Sequence, residues 1–95
     1  MFDRMVWKIW ERIGSGRYVM TLHAEEEMAD DGLTIYDVER CLLTGRVAAR
    51  QRDGKTGESK YVVRGKTVGG QTATVVVKMG MTGKLVIITV YAGEG

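Results

Sequence analysis

The spacing of hydrophobic positions along this chain changes once. Up to Gly45 it is helical, and after Gly45 it alternates. Phe2, Met5, Val6, Ile9, Trp10 and Ile13 fall at i, i+3, i+4, i+7, i+8 and i+11, the buried stripe of an amphipathic helix over 1–14. Asp3, Arg4, Lys8, Glu11 and Arg12 fill most of the remainder, with Trp7 beside the stripe. A polar face of mixed sign favours packing on a core over lying on a membrane surface. Gly14-Ser15-Gly16 ends this helix, and Arg17-Tyr18-Val19-Met20 reads as a short strand.

Residues Thr21 to Gly45 read as two short helices with clear start and stop signals. Thr21 caps the first, since its hydroxyl can accept from an orphan backbone N–H. His23, the single histidine, then takes the second helical position, at the positive end of the helix dipole. Glu25, Glu26 and Glu27 follow where that dipole favours negative charge, and Gly32 supplies a left-handed C-terminal residue. Thr34 and Asp37 form a capping box for the second helix, with Leu33 and Val38 as its hydrophobic staple. Gly45 closes that helix.

Four strands follow, Arg46–Arg52, Lys60–Val68, Gln71–Met79 and Lys84–Tyr91, read from their Val, Ile, Thr and Tyr content. Turn-formers separate them, from Asp53-Gly54 to Gly57, at Gly69-Gly70, and from Gly80 to Gly83. Gly69-Gly70 reads as a two-residue hairpin. Links this short make consecutive strands antiparallel. The expected fold is α+β: an N-terminal helix, a short strand, two helices, then a four-strand antiparallel meander with the helices on one sheet face. The last strand, apolar on both sides, is expected to be central. One domain over 1–95 divides into the helix 1–14, the strand and two-helix unit 17–45, and the sheet 46–91.

Composition narrows the classes. Of 95 residues, 44% are hydrophobic and 27% charged, values of a globular chain rather than a disordered one. No apolar run approaches the roughly 20 residues of a membrane span, and the N-terminus lacks a continuous apolar signal region. Membrane association is not expected. One cysteine, Cys41, cannot form an internal disulfide, which points to a reducing cytoplasm, and its place on a helix makes it a small buried apolar residue. One His, one Cys and scattered carboxylates give no metal-ligand spacing, so no metal or cofactor is expected.

Charge is unevenly placed. Residues 1–45 hold five Lys/Arg against nine Asp/Glu, and residues 46–95 hold nine against three. Either the halves neutralise one another or the second half forms a basic surface. Alternation favours the surface. It puts Arg46, Arg50 and Arg52 on one face of the first strand, Lys60, Arg64 and Lys66 together on the second, and Lys78 with Thr72 and Thr74 on the third. Val63, Val75, Val77 and Ile87 should then face the helices. Seven cations with no carboxylate among them make an anion-binding surface, and RNA or another nucleic acid is the polymer such a surface commonly serves.

The run His23-Ala24, Met28, Gly32-Leu33-Thr34, Asp37-Val38-Glu39, Leu42 and Gly45, continued by Tyr61-Val62-Val63, Gly65 and Thr89-Val90-Tyr91, resembles domain-of-unknown-function family 4258. That family is similar in pattern to the RelE/ParE-like toxins of bacterial toxin–antitoxin pairs, many of which cleave mRNA. The resemblance implies a RelE-like fold, a cytoplasmic protein, RNA (mRNA on the ribosome included) as substrate and a small antitoxin as partner. One position departs from the pattern. The family commonly shows His-Ala-x-x-Arg-Met, and Glu27 stands here in place of that arginine.

Metal-independent RNA cleavage needs an acid, a base and cations for the pentacovalent phosphate, with the 2′-hydroxyl as nucleophile. His23, Arg64 and Tyr91 are the residues that would carry it. Arg46, Arg50, Lys60, Tyr61 and Lys66 would bind substrate, with tyrosine able to stack on a base. Each has a plainer reading: His23 as a helix-start residue, the tyrosines as packing, the cations as a solvated face. The leading reading is an endoribonuclease toxin, favoured by His23, Arg50, Arg64 and Tyr91, and the alternative is a non-catalytic RNA- or protein-binding relative, favoured by Glu27.

Overall fold

The computed structural model describes residues 3–93. Three helices and five strands run in the order α1 (Asp3–Gly14), β1 (Tyr18–Met20), α2 (Leu22–Asp30), α3 (Ile35–Thr44), β2 (Arg46–Arg52), β3 (Ser59–Lys66), β4 (Thr72–Met79) and β5 (Leu85–Ala92). The sheet order is β1-β5-β4-β3-β2, and every pair is antiparallel except β1 with β5. The meander is present as expected. The short strand adds to it in parallel, making the sheet mixed and five-stranded. It also moves the centre to β4, so β5 is second from the edge.

The helices cover one sheet face. Met5, Ile9 and Ile13 of α1, Ala24 of α2, and Val38, Cys41 and Leu42 of α3 are buried against Val63, Val75, Val77, Leu85, Ile87 and Val90. Val6 packs partly against this core, but Trp10 is 44% exposed and Trp7 is 67% exposed. The buried stripe of α1 is therefore narrower than its apolar pattern. Phe2, the first residue assigned to that stripe, lies outside the described residues.

Local signals decide the helix ends. Thr21 Oγ1 accepts from Ala24 N at 3.1 Å, and Thr34 and Asp37 form the reciprocal capping box. Gly32, at φ +66°, ends α2 in a Schellman arrangement, with its N–H donating to Ala29 O and Leu33 N–H to Met28 O. Gly45 behaves differently. It is extended at φ −85°, and a Cβ there would stand 2.6 Å from Cys41 O and 2.7 Å from Val63 Cγ1. Gly65 is tighter against the same carbonyl. These two glycines let the last turn of α3 lie directly on β3.

The β3–β4 turn is a three-residue loop rather than the expected two. Thr67 N–H donates to Gln71 O at 2.8 Å and Gly70 N–H to Thr67 O at 3.0 Å, with Gly70 at φ +83°. That is a type I turn closed by a left-handed glycine. The β4–β5 turn repeats this hydrogen-bond pattern over Gly80–Lys84.

Two irregularities set which side chains share a face. Between β2 and β3 the pairing runs Arg46 with Arg64 and Val47 with Val63, then skips Ala48 to pair Ala49 with Val62 and Arg50 with Tyr61. A bulge of this kind reverses the alternation beyond it. Arg50 and Arg52 thus lie on the face of Tyr61 and Val63, opposite Arg46, although both remain exposed at the margin. This corrects the strict alternation drawn from the sequence. On β5 the register likewise skips Ile88, so Ile87 and Val90 both reach the core although three residues apart.

Candidate functional site

The open sheet face carries a transverse row of paired residues. Arg46 pairs with Arg64, Arg64 with Thr74, and Thr74 with Tyr91. Strands lie about 4.8 Å apart, so the row spans about 14 Å. Thr74 is fully buried within it, and its hydroxyl donates to Gly93 O at 2.7 Å. Arg64 is half-buried, lying along the sheet instead of standing in solvent. The next row towards the β3–β4 turn holds Lys66 and Thr72, with Lys66 Nζ donating to Thr72 Oγ1 at 3.1 Å.

A groove of about 310 Å³ opens at this end of the sheet. Thr44, Arg46, Arg64, Gly65, Lys66 and Thr72 line it. The C-terminus of α3 forms one wall, because Thr44 Oγ1 accepts from Lys66 N at 3.0 Å and donates to Arg40 O at 2.8 Å. Three of the basic residues marked from the sequence, Arg46, Arg64 and Lys66, are brought together here. Lys60 lies farther along the same face, opposite Gln51. Lys78, also on that face, is paired with Glu58 at 3.1 Å. Arg50 lies on the other side, and Tyr61 there packs partly against the core.

His23 belongs to a different neighbourhood. It stands near the start of α2, 66% exposed, with Nε2 3.1 Å from Glu27 Oε1. The same Glu27 oxygen accepts from Val90 N–H at 3.2 Å, and Asp31 accepts from Ala92 N–H at 2.8 Å. These donors lie on the edge of β5 beyond the three-residue β1. Four helical residues rise about 6 Å and two strand residues about 6.8 Å, so carboxylates at i and i+4 match alternate N–H groups of a strand. Glu27 thereby satisfies the strand edge, which an arginine could not do because it has no acceptor. Arg64 lies two strands inward from β5, about 10 Å from its backbone. Tyr91 shares the open-face row with Arg64, two strands away, and His23 approaches the β5 edge through Glu27.

A family model described as Domain of unknown function (DUF4258) matches residues 20–92. The chain belongs to this family. The DUF4258 match runs from the end of β1 through β5 and leaves α1 outside. No curated protein and no solved structure gives a significant match.

The sequence did not single out Thr44, Thr72, Glu27 or Asp31 for these positions. His23, Glu27 and Asp31 at i, i+4 and i+8 were a visible stripe, and such a stripe of acceptors beside a sheet is the signal for edge closure. Cys41 is inert in this DUF4258 domain. Its Sγ lies 3.3 Å from Ala73 O, and burial pushes the thiol up to about 11 despite an opposing hydrogen bond from the Gly65 backbone. Among the described residues, no group of three His, Cys, Asp or Glu could hold a metal, and no helix is long and apolar enough to cross a membrane.

Proposed function

We propose that this domain binds RNA on its open sheet face as a non-catalytic module. One observation carries the reading: Arg46, Arg64 and Lys66 converge on one groove, with no carboxylate among the described residues that line it. A cationic groove suits a phosphate backbone, and Tyr91 at the far end of the row offers an aromatic face for a base. RNA is chosen over other polyanions on the sequence pattern read as similar to RelE/ParE-like toxins, and on that reading a small acidic antitoxin would compete for the same face.

Binding should fall linearly with salt on logarithmic axes, with a slope of about 0.7 per phosphate contact on a single strand. Arg46→Gln should remove about one contact's worth of slope. Arg52→Gln, on the opposite face beyond the bulge, should leave it unchanged. No binding at low salt, or equal effects of the two substitutions, overturns the reading.

The endoribonuclease alternative draws on the His23–Glu27 pair, since a carboxylate can orient an imidazole for proton transfer. Glu27, which stands in place of the family's usual arginine and accepts from Val90 N–H, favours the binding module. Purified protein is expected not to cleave single-stranded RNA. Cleavage that His23→Ala lowers by roughly 10²–10⁴-fold would reverse the choice.

A further inference from the structure

Arg64 Nε is buried and has no hydrogen-bond partner among the described residues. Arg64 lines the groove with Arg46 and Lys66, and among the described residues no ion pair involves any of the three. A buried donor on a charged group is unfavourable unless something accepts from it. The other groove hydroxyls do not supply that acceptor. Thr44 Oγ1 is engaged with Arg40 O and Lys66 N, while Thr72 Oγ1 accepts from Lys66 Nζ and keeps its own hydrogen to donate. Among the described residues the groove thus offers donors and positive charge and no anionic acceptor.

We propose that this groove is a site for a phosphate monoester dianion, the group at a phosphorylated RNA terminus. The source of the phosphate rests on the RNA reading above; the chemistry of the groove does not. Charge selects the monoester. A terminal phosphate carries about −1.5 to −2 at neutral pH, against −1 for an internal phosphodiester, and three cations face it. The planar guanidinium of Arg64 can offer two N–H groups as a fork that matches two phosphate oxygens, which a lysine cannot do. At about 310 Å³ the groove has room for the attached sugar as well.

Two measurements test this with the full chain. In the first, inorganic phosphate and dimethyl phosphate are titrated separately while the Arg64 Nε–H resonance is followed by NMR. Phosphate should shift that resonance and dimethyl phosphate should not at the same concentration. Equal shifts, or none with either, overturn the monoester site. In the second, single-stranded RNA carrying a 5′-phosphate, a 3′-phosphate or neither is bound at fixed salt. One phosphorylated end should bind about tenfold tighter than the unmodified strand. Arg64→Lys should erase that gain while remaining folded, and Lys60→Gln should weaken all three strands equally. If all three RNAs bind alike, the groove does not select monoesters and the inference is overturned, while the RNA reading stands. If no RNA binds but phosphate alone shifts Arg64 Nε–H, the RNA reading fails and the monoester site is supported.

Discussion

The two margins of the sheet are finished by opposite chemistry. At the β1–β5 margin, four backbone groups beside or beyond the short strand meet a partner from the Thr21–Asp31 segment. Thr21 N–H and Oγ1 donate to the carbonyls of Ile87 and Ile88, and Glu27 and Asp31 accept from Val90 and Ala92. At the β2 margin, arginines and a bulge finish the strand, and cations converge on a groove. Both devices discourage strand addition. Only the second leaves charge unspent.

The same contrast explains the uneven charge of the two halves. Glu27, Asp31, Asp37 and Asp53 all accept backbone N–H bonds, and Glu39 accepts from Tyr18 OH at 2.6 Å. Four of the nine acidic residues of the first half, Glu27, Asp31, Asp37 and Glu39, thus serve as structural acceptors. The ion pairs among the described residues, Glu11–Arg12, His23–Glu27 and Glu58–Lys78, each stay within one half of the chain. Mutual neutralisation of the halves is not how this molecule uses its charge.

The largest expected effect lies where the groove wall meets the sheet. Gly65→Ala places a methyl group into the Cys41 carbonyl, backbone against backbone. It should cost about 3 kcal/mol or more in denaturant unfolding, at the upper end of overpacking effects. A cost below about 1 kcal/mol would mean that α3 does not rest on β3 as closely as described.

A smaller effect separates the two margins directly. Glu27→Ala strands the Val90 N–H and should cost about 1–3 kcal/mol, with faster hydrogen exchange at Val90. Glu27→Gln keeps an acceptor and should recover most of that loss. Arg46→Gln at the other margin should leave stability within about 0.5 kcal/mol, as exposed surface changes do. If Arg46→Gln proves the more destabilising, the division into a structural margin and a binding margin fails.

The smallest effect is on acid stability. The N–H groups of Thr34 and Val68 hold the exposed Asp37 carboxyl below its ordinary value of 3.8. A carboxyl lowered on folding adds stability above its unfolded value, and that stability is lost as pH falls through the lower folded value. Thermal stability should therefore drop below about pH 4 in the wild type and drop less in Asp37→Asn, measured as melting temperature against pH.

Much of the fold was legible because its signals are local. Thr21, Gly32 and the Thr34–Asp37 box act within four residues of the ends they set, and a periodicity of 3.6 or 2 declares itself in a short window. The apolar assignments of Val63, Val75 and Val77 held because their own strand segments alternate, and Ile87 held although the register skips Ile88 directly after it. The face of Arg50 was misread because one unpaired residue, Ala48, reverses every side chain after it, and nothing in Arg46–Arg52 marks the insertion. The exposure of Trp10 was missed for a related reason: period gives the direction of a stripe, and only the neighbours decide its width.

By itself, then, the sequence determined the helices, their caps, the meander and a basic second half, all set by residues near one another in the chain. Tertiary structure decided the parallel seat of β1, the role of Glu27 and the convergence of Arg46, Arg64 and Lys66. Glu27 and Val90 are 63 residues apart, as are strands β1 and β5 at comparable separation. A hydrogen bond across such a distance depends on where two surfaces meet, and that meeting leaves no period or cap in either segment.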